Sequence, residues 1–436
     1  SRGLGDVYKR QLIMFFKLLK DALKVKNVRN KILFTIFIIF VFRVGTHVTV
    51  PGINAESLKQ LSDLPFLNML NLVSGNAMNN FSIFSMGVSP YITASIIVQL
   101  LQMDIYPKFV EWGKQGEVGR RKLNQATRYI TLVLAFVQSI GITASFNTLS
   151  SISLVKTPNV STYLLIGTIL TAGSIIVTWL GEQITDKGFG NGVSMIIFSG
   201  IIASIPKMFS TIYEDFFVNV RSGELTRSYI IVALLIVVGL AIVFFTTFVQ
   251  QAEYQIPIQY TKLVQGAPTS SYLPLKVNPA GVIPVIFASS ITTIPSTILP
   301  FFSKVTWLSH LQGLLSYNTP SGMITYAILI ILFSFFYTFV QVNPEKTAEN
   351  LQKNGSYIPS VRPGRETEKY MSSLLKRLAT IGAVFLAFIS LAPIAAQQFM
   401  HLTSSIALGG TSLLILISTG IEGMKQLEGC LLKRQY

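Results

Sequence analysis

The stretch of sequence that decides the fold is residues 378–421, which read LATIGAVFLAFISLAPIAAQQFMHLTSSIALGGTSLLILISTGI. This stretch contains no Asp, Glu, Lys or Arg. A helix needs about 20 mostly apolar residues to cross a bilayer. Two such helices fit, at 378–397 and 408–425, and Gly409-Gly410 opens the second. The run therefore predicts two consecutive transmembrane helices.

Uncharged runs of the same kind recur along the rest of the chain. Each is long enough for one membrane span, although the run that contains the second span is unusual in its length. The predicted spans in such runs are 89–103, 129–155, 157–181, 188–206, 228–252, 277–303 and 322–342. Residues 31–50 are predicted as the first span despite Arg43 and His47. The total is ten spans, so we predict an all-α polytopic membrane protein.

The overall composition agrees with a membrane location. Half of the 436 residues are hydrophobic and only 12% are charged, whereas a soluble domain has about a quarter of its residues charged. A soluble protein of this length could not cover its surface with so few charges. The only cysteine is Cys430, which excludes an internal disulfide and a cysteine-based metal site.

Residues 64–103 form an uncharged run that is too long for one span and divides at a polar centre. Its first part, 66–73, is about two helical turns long and cannot cross a membrane. Its second part, 89–103, is a short span. One interpretation is a surface loop before a helix. The alternative is a re-entrant half-helix, which is tolerated only inside protein or in a water-filled cavity.

The distribution of basic residues predicts the orientation. With the N-terminus in the cytoplasm, 28 of the 35 Lys and Arg residues fall in cytoplasmic segments and six fall in outer loops; Arg43 lies within a span. Such an excess is typical of the cytoplasmic side. We therefore expect a multi-pass protein of the cytoplasmic membrane with both termini in the cytoplasm. The basic loops expected to face it are 103–128 and 344–377.

The two ends of the chain lie outside the predicted spans. Residues 1–13 share no pattern with the rest of the chain, and we interpret them as a non-native leader with Met14 as the natural start. Residues 14–30 place apolar side chains on one helical face and lysines off it, which predicts an amphipathic helix along the inner membrane surface, or a solubilising extension. The remaining predicted segments are spans 1 to 5 in 31–209, spans 6 to 10 in 229–425, and a cytoplasmic tail at 426–436.

The sequence offers little catalytic chemistry. His47, His310 and His401 are far apart, and no H-E-x-x-H, G-x-S-x-G or P-loop motif occurs. Residues 188–192 read GFGNG, but they come after a membrane span rather than a strand, so we interpret them as a tight turn into the next helix. We expect no enzyme activity, no metal and no cofactor.

Ionisable residues within the spans are almost absent. Ion-coupled transporters usually carry carboxylates in their spans, and here only Arg43 and His47 are plausible intramembrane ionisable groups. They lie one turn apart near the outer end of the first span. We interpret them as side chains that reach the outer headgroups.

Large basic loops are the main polar feature of the chain. Residues 109–129 include Arg120, Arg121 and Lys122, and residues 344–377 include the sequence Arg362-Pro363-Gly364. Loops of this size suit docking to a large partner better than closure over a small solute. The alternative is an ordinary solvated charged surface.

Several motifs, in a fixed order, resemble the SecY family of protein-conducting channels, in its Gram-positive bacterial form. The resemblance covers the chain from about Met14 to Tyr436. It is carried by LNMLNLVSG at 67–75, PYITASII at 90–97, GEQITDKGFGNG at 181–192, LPLKVNPAGVIP at 273–284 and IPSVRPG at 358–364. One departure concerns the predicted loop at 250–279, whose start reads QQAEY at 250–254 where many relatives have an arginine cluster.

The resemblance implies an hourglass channel built from two pseudo-symmetric halves of five helices. Signal sequences and membrane segments would leave it sideways between helices 2 and 3 and helices 7 and 8. The implied pore ring is Val88, Ile92, Val193, Ile197, Ile283 and Ile415. The implied plug, within 66–78, includes Asn68, Met69, Leu70, Asn71, Leu72, Val73, Ser74 and Gly75. The implied docking residues are Arg362, Pro363, Gly364, Arg120, Arg121 and Lys122.

The same resemblance implies the partners. They are SecE and SecG in a heterotrimer, the SecA ATPase, the translating ribosome, signal sequences, unfolded preproteins and membrane lipid. The energy would come from these partners. A secondary transporter is the alternative, because transporters also use inverted repeats and broken helices.

Overall fold

The computed structural model describes residues 24–54, 71, 74–75, 77–103, 105–149, 155, 158–218, 225–260, 270–298, 319–400 and 409–432. The fold is mostly helical and divides into two compact units. Unit 1 comprises Ser1–Lys207 and Thr419–Tyr436, and unit 2 comprises Met208–Ser418. The predicted leader at 1–13 and residues 14–23 of the predicted amphipathic helix lie outside the described residues.

Unit 1 is mostly helical in its described residues. Its elements are α1 (Lys26–Gly45), a 3-10 turn (Met78–Asn80), α2 (Ser89–Leu101), α3 (Pro107–Lys114), α4 (Gly116–Leu149), α5 (Val160–Lys187) and α6 (Gly192–Tyr213), whose last turn passes into unit 2. Helix α4 packs against both α2 and α5, and α1 packs against α5. At the α4–α5 contact the Ser139 hydroxyl donates to the Gly167 carbonyl over 3.1 Å. Small residues therefore bring these two helices close together.

Unit 2 contains helices and a small sheet. Its elements are a π-helical turn (Glu214–Val218), α7 (Leu225–Gln251), β1 (Glu253–Tyr260), β2 (Ser270–Lys276), α8 (Ile283–Ile298), α9 (Pro320–Gln341), α10 (Pro344–Lys353), β3 (Ser356–Tyr357) and α11 (Arg365–Met400). Helix α9 packs against α8 and α11, and α10 packs against α11. The last helix, α12 (Gly409–Leu432), begins in unit 2 and ends in unit 1.

The sheet is antiparallel, with strand order β2-β1-β3. In β1 only Ile256 and Ile258 are buried, and polar or exposed residues alternate with them. Ile256 packs with Met371 and Leu375 of α11 in one hydrophobic core. The hairpin and the start of α11 are therefore one packed body, whereas the sequence had been interpreted as a loop at 250–279.

All ten predicted spans overlap a helix of the described chain. Among the described residues, six helices are long and apolar enough to cross a membrane, and Ser89–Leu101 and Ile283–Thr292 are shorter apolar helices. A multi-pass membrane protein follows from these helices, and the crossing of all ten stays a prediction. The predicted loops at 103–128 and 344–377 are largely helical, because α3, α4, α10 and α11 begin within them. Asn343 starts α10 by accepting a hydrogen bond from the backbone N–H of Lys346.

Candidate functional site: pore positions, hinge and docking surfaces

Four of the six predicted pore positions lie in unit 1, in two pairs. Val88 directly precedes α2, and its carbonyl accepts a 3.0 Å hydrogen bond from the backbone N–H of Ile92. Both side chains are buried. Val193 and Ile197 lie one turn apart on α6, where Ile197 is buried and Val193 half-buried. Each pair therefore shares one face of its backbone, as a ring contributor must.

The other two predicted pore positions lie in unit 2. Ile283 is the first residue of α8 and is half-buried. Ile415 lies in α12, in the part that belongs to unit 2, and its side chain is buried. All six positions are thus aliphatic residues within a helix or directly before one, and their meeting in one ring stays a prediction.

Residues 77–88, which lead into α2, are held by hydrogen bonds on two sides. On one side, the N–H of Ile83 donates to the Val48 carbonyl over 2.9 Å, and the N–H of Val50 donates to the Phe81 carbonyl over 3.1 Å. On the other side, the Ser174 hydroxyl of α5 donates to the Gly87 carbonyl over 3.1 Å. Residues 77–88 are therefore a fixed part of unit 1.

Three of the eight predicted plug residues are described, and Asn68, Met69, Leu70, Leu72 and Val73 lie outside the described residues. Asn71 and Ser74 are buried. The Asn71 amide forms two hydrogen bonds with Asn79, donating to its side-chain oxygen over 2.6 Å and accepting from its N–H over 3.0 Å. Gly75 has a φ of +67°, a left-handed conformation that favours glycine. A turn at Gly75 therefore joins Ser74 to the fixed segment.

The expectation that Arg43 reaches the outer headgroups is wrong. Its guanidinium turns into unit 1, where Nη1 donates to the Gly75 carbonyl over 2.9 Å and Nη2 donates to the Ser199 carbonyl of α6. His47 is exposed, and its Nδ1 lies 2.9 Å from the Arg43 carbonyl oxygen. Arg43 therefore joins α1, the turn at Gly75 and α6. The sequence carried no signal for this, because backbone carbonyls have no residue signature.

The GFGNG segment is a tight turn, as predicted, and the structure shows what holds it. The N–H of Phe189 donates to the Thr35 hydroxyl of α1, and the N–H of Gly190 donates to the Gln426 side chain of α12, each over 2.9 Å. Gly190 has a φ of +86°. These backbone donors are already used by side chains, so the turn is not a free phosphate cradle.

A second contact that was not predicted from the sequence joins α4 to α5. Arg128 donates from Nε to one carboxylate oxygen of Glu182 over 3.0 Å and from Nη2 to the other oxygen. This bidentate geometry is the strongest form of an Arg–carboxylate contact. It connects the two helices next to the 181–192 motif.

The predicted docking residues lie at the surface of each unit. In unit 1, Arg120, Arg121 and Lys122 are exposed on the first turns of α4, not on a loop. The Lys122 ammonium lies 6.0 Å from the centre of the Trp112 ring of α3. Helix α3 folds back so closely that a Cβ at Gly119 would lie 1.8 Å from the Trp112 carbonyl oxygen. A compact basic surface results.

In unit 2 the predicted docking residues lie on a tight turn before α11. Arg362 and Pro363 are exposed, and Gly364 has a φ of +93°. The Arg362 carbonyl accepts a hydrogen bond from the Thr367 hydroxyl over 2.9 Å. Neighbouring Val361 packs on the core shared by the hairpin and α11. The guanidinium is therefore presented to solvent from a rigid support.

Within the described part of the chain, no group of three or more His, Cys, Asp or Glu side chains could hold a metal ion.

Comparisons with known proteins agree on one family. The SecY family model matches residues 82–424. The protein translocase subunit SecY of Streptococcus sanguinis is 71% identical and that of Lactococcus lactis subsp. lactis is 67% identical, and each match covers 97% of this chain and 98% of the relative. The Bacillus subtilis subunit is 50% identical, with the same coverage.

Solved structures share this fold at low sequence identity. A structure of a protein-conducting channel matches with a TM-score of 0.66 at 16% identity, covering 92% of this chain and 91% of the other. Sec61 in a canine ribosome–channel complex from the endoplasmic reticulum matches with a TM-score of 0.63, also at 16% identity, and with the same coverage.

Proposed function

This chain belongs to the SecY family, and from that premise we propose that it is the central pore subunit of the Sec protein-conducting channel. It passes unfolded secretory polypeptides across the cytoplasmic membrane and releases membrane segments sideways into the lipid. The observation that carries the proposal is the match to translocase subunits along 97% of the chain. The subunit is a channel component and not an enzyme.

The pore positions suit a conduit for any sequence. A ring that passes every polypeptide must bind no side chain tightly, so it cannot rely on specific hydrogen bonds. Aliphatic side chains at Val88, Ile92, Val193, Ile197, Ile283 and Ile415 yield to a chain and close around it. A hydrophobic constriction also resists wetting, which blocks ions when no chain is present.

The plug completes the resting seal in this proposal. Residues 66–73 are too short to span the membrane, and Gly75 comes after them in a left-handed conformation. An apolar half-helix at membrane depth must lie inside protein or in a cavity, and the outer funnel of the channel is the cavity that we assign to it. The plug has to leave this cavity when a substrate arrives.

Partners supply the energy and the substrate. We assign the exposed Arg362 turn and the basic surface of α3 and α4 to docking of the SecA ATPase and the ribosome. Support comes from their exposure and from the canine ribosome–channel complex among the structures with this fold. SecE and SecG complete the heterotrimer. The excess of Lys and Arg in these segments supports an orientation with both surfaces and both termini in the cytoplasm.

None of the relatives and structures described above is a secondary transporter, so that alternative has no support. The test is reconstitution of the chain with SecE and SecG in liposomes that hold an ion gradient. With SecA and ATP outside, we expect a preprotein with a signal sequence to become protected from added protease. Gradient-driven uptake of small solutes without preprotein protection would refute the proposal.

A further inference from the structure

The proposed function does not explain the position of Arg43. This residue lies in the last turn of α1, within a predicted membrane span. Its two terminal nitrogens donate to two different backbone carbonyls, those of Gly75 and Ser199. These carbonyls are far apart in sequence, so a single side chain joins three separate parts of unit 1.

The charge of Arg43 is held without a counter-ion among the described residues. No carboxylate of the described chain lies within ion-pair distance of its guanidinium, and the side chain is partly buried. A charged group inside a membrane protein is costly and faces a partner or a watery cavity. Two carbonyl oxygens are a fitting partner, because the planar guanidinium presents several donors in a fixed fork.

Close backbone packing makes the double contact possible. A Cβ added to Gly200 would lie 2.2 Å from the Cα of Gly75, and a Cβ added to Gly75 would lie 2.8 Å from the Phe42 ring. Phe42 is completely buried and stacks on Phe84 with ring centres 5.8 Å apart. The turn at Gly75 is therefore pressed between α1 and α6, and Arg43 closes the contact.

Gly75 lies at a boundary in the chain. After it, residues 77–88 are fixed to α5 and to the residues that come directly after α1. Before it lies the segment to which the proposed function assigns a movement. The hydrogen bonds of Arg43 therefore hold the chain at the end of that segment, and they do not involve the pore positions.

We propose that Arg43 is a positioning residue that holds Gly75 against α6 in the resting channel through its two hydrogen bonds, and that these bonds break when a substrate displaces the preceding segment. We call this pair of hydrogen bonds the clasp. This inference rests on the proposed function. The proposal predicts that lysine cannot replace arginine at position 43. A lysine keeps the charge, but its single ammonium group does not reproduce the two hydrogen-bonding arms of the guanidinium. A side chain that merely reaches headgroups would work equally well as lysine.

The experiment compares Arg43→Lys and Arg43→Met with the parent complex in planar bilayers. We expect the resting conductance to rise roughly tenfold in the Met variant, the scale of losing hydrogen bonds to a charged group, and to rise by a smaller amount in the Lys variant. His47→Gln is the matched control one turn away, and its conductance should equal that of the parent. A Lys variant that seals as well as the parent overturns the clasp.

A second readout keeps the test independent of conductance. Ser74 is buried, so a Ser74→Cys variant, with Cys430 replaced by Ser, should react slowly with a membrane-impermeant maleimide. Adding Arg43→Lys should speed the reaction severalfold in complexes that still assemble. An unchanged reaction rate overturns the clasp.

The two proposals fail in different ways. If the parent complex protects preprotein but the Arg43 variants match it in both readouts, only the clasp is refuted. If the parent complex protects no preprotein, the proposed function itself is refuted.

Discussion

Gly200 offers the sharpest steric test of the resting contact between α6 and the turn at Gly75. A Cβ at this position would lie 2.2 Å from the Cα of Gly75, whereas ordinary contact begins at 3.4 Å. In Gly200→Ala one of the two backbones must therefore move by about 1.2 Å, the difference between these distances. Gly200 lies within the helix α6 and Gly75 lies in a turn, so we expect the turn at Gly75 to move.

The size of the effect follows from the cost of overpacking. Extra methyl groups forced into a packed site cost about 1–3 kcal/mol, and each 1.4 kcal/mol is about a tenfold change in an equilibrium constant. Because the strain is relieved when the turn leaves α6, the resting equilibrium should shift by about 5- to 150-fold towards the released state. The resting conductance of the reconstituted complex should rise accordingly.

A glycine on the surface of another helix is the matched control. Gly239 lies within α7, and a Cβ there would meet nothing within 4 Å. Gly239→Ala should leave the conductance unchanged and slightly stabilise the helix, by up to about 1 kcal/mol. The reasoning is refuted if Gly200→Ala assembles in normal amounts and its resting conductance equals that of Gly239→Ala.

Three further predictions test the topology, the docking surface and the contact between α4 and α5. A reporter that is active only outside the cytoplasm should be inactive when fused at Gly116 or Gly355, and activity at either site would contradict the ten-span topology. Arg362→Glu should lower preprotein export at least about fivefold at an unchanged membrane level of the protein, because a like charge opposes docking. The control Lys346→Glu, on the exposed α10, should leave export unchanged. Equal export by the two variants would mean that Arg362 is only a solvated surface charge. Glu182→Gln should lower the free energy of unfolding by about 1 kcal/mol or less, since its partner Arg128 is largely exposed. A decrease of more than about 3 kcal/mol, measured by thermal unfolding, would show that the ion pair behaves as a buried one.

Uncharged runs predicted the helices well because the bilayer imposes a simple rule on composition. A helix of about 20 apolar residues is the main structure that satisfies its own backbone in lipid. The helix ends in water were harder to predict. The basic loop at 103–128 is mostly helix, and Leu123 and Thr127 are buried on α4. The sequence signal was the spacing of four residues between them, which is a helical period.

The hairpin was missed because 250–279 was judged as a connection between spans. Its sequence carried a usable signal, since Tyr254, Ile256 and Ile258 alternate with polar or turn residues. The contacts of Arg43 carried none. They depend on the close approach of Gly75 and Gly200, which are far apart in sequence, and tertiary packing of this kind has no local pattern.

The most direct test of the central claim is where a translocating chain touches the protein. A preprotein stalled in transit would be offered a photo-crosslinking amino acid placed in turn at Ile92, Ile197, Ile283 and Ile415, with Val237, which is exposed on α7, as the control. The account predicts crosslinks to the stalled chain from all four pore positions, in both units, and none from Val237. Crosslinks from Val237 without any from the four pore positions would contradict it.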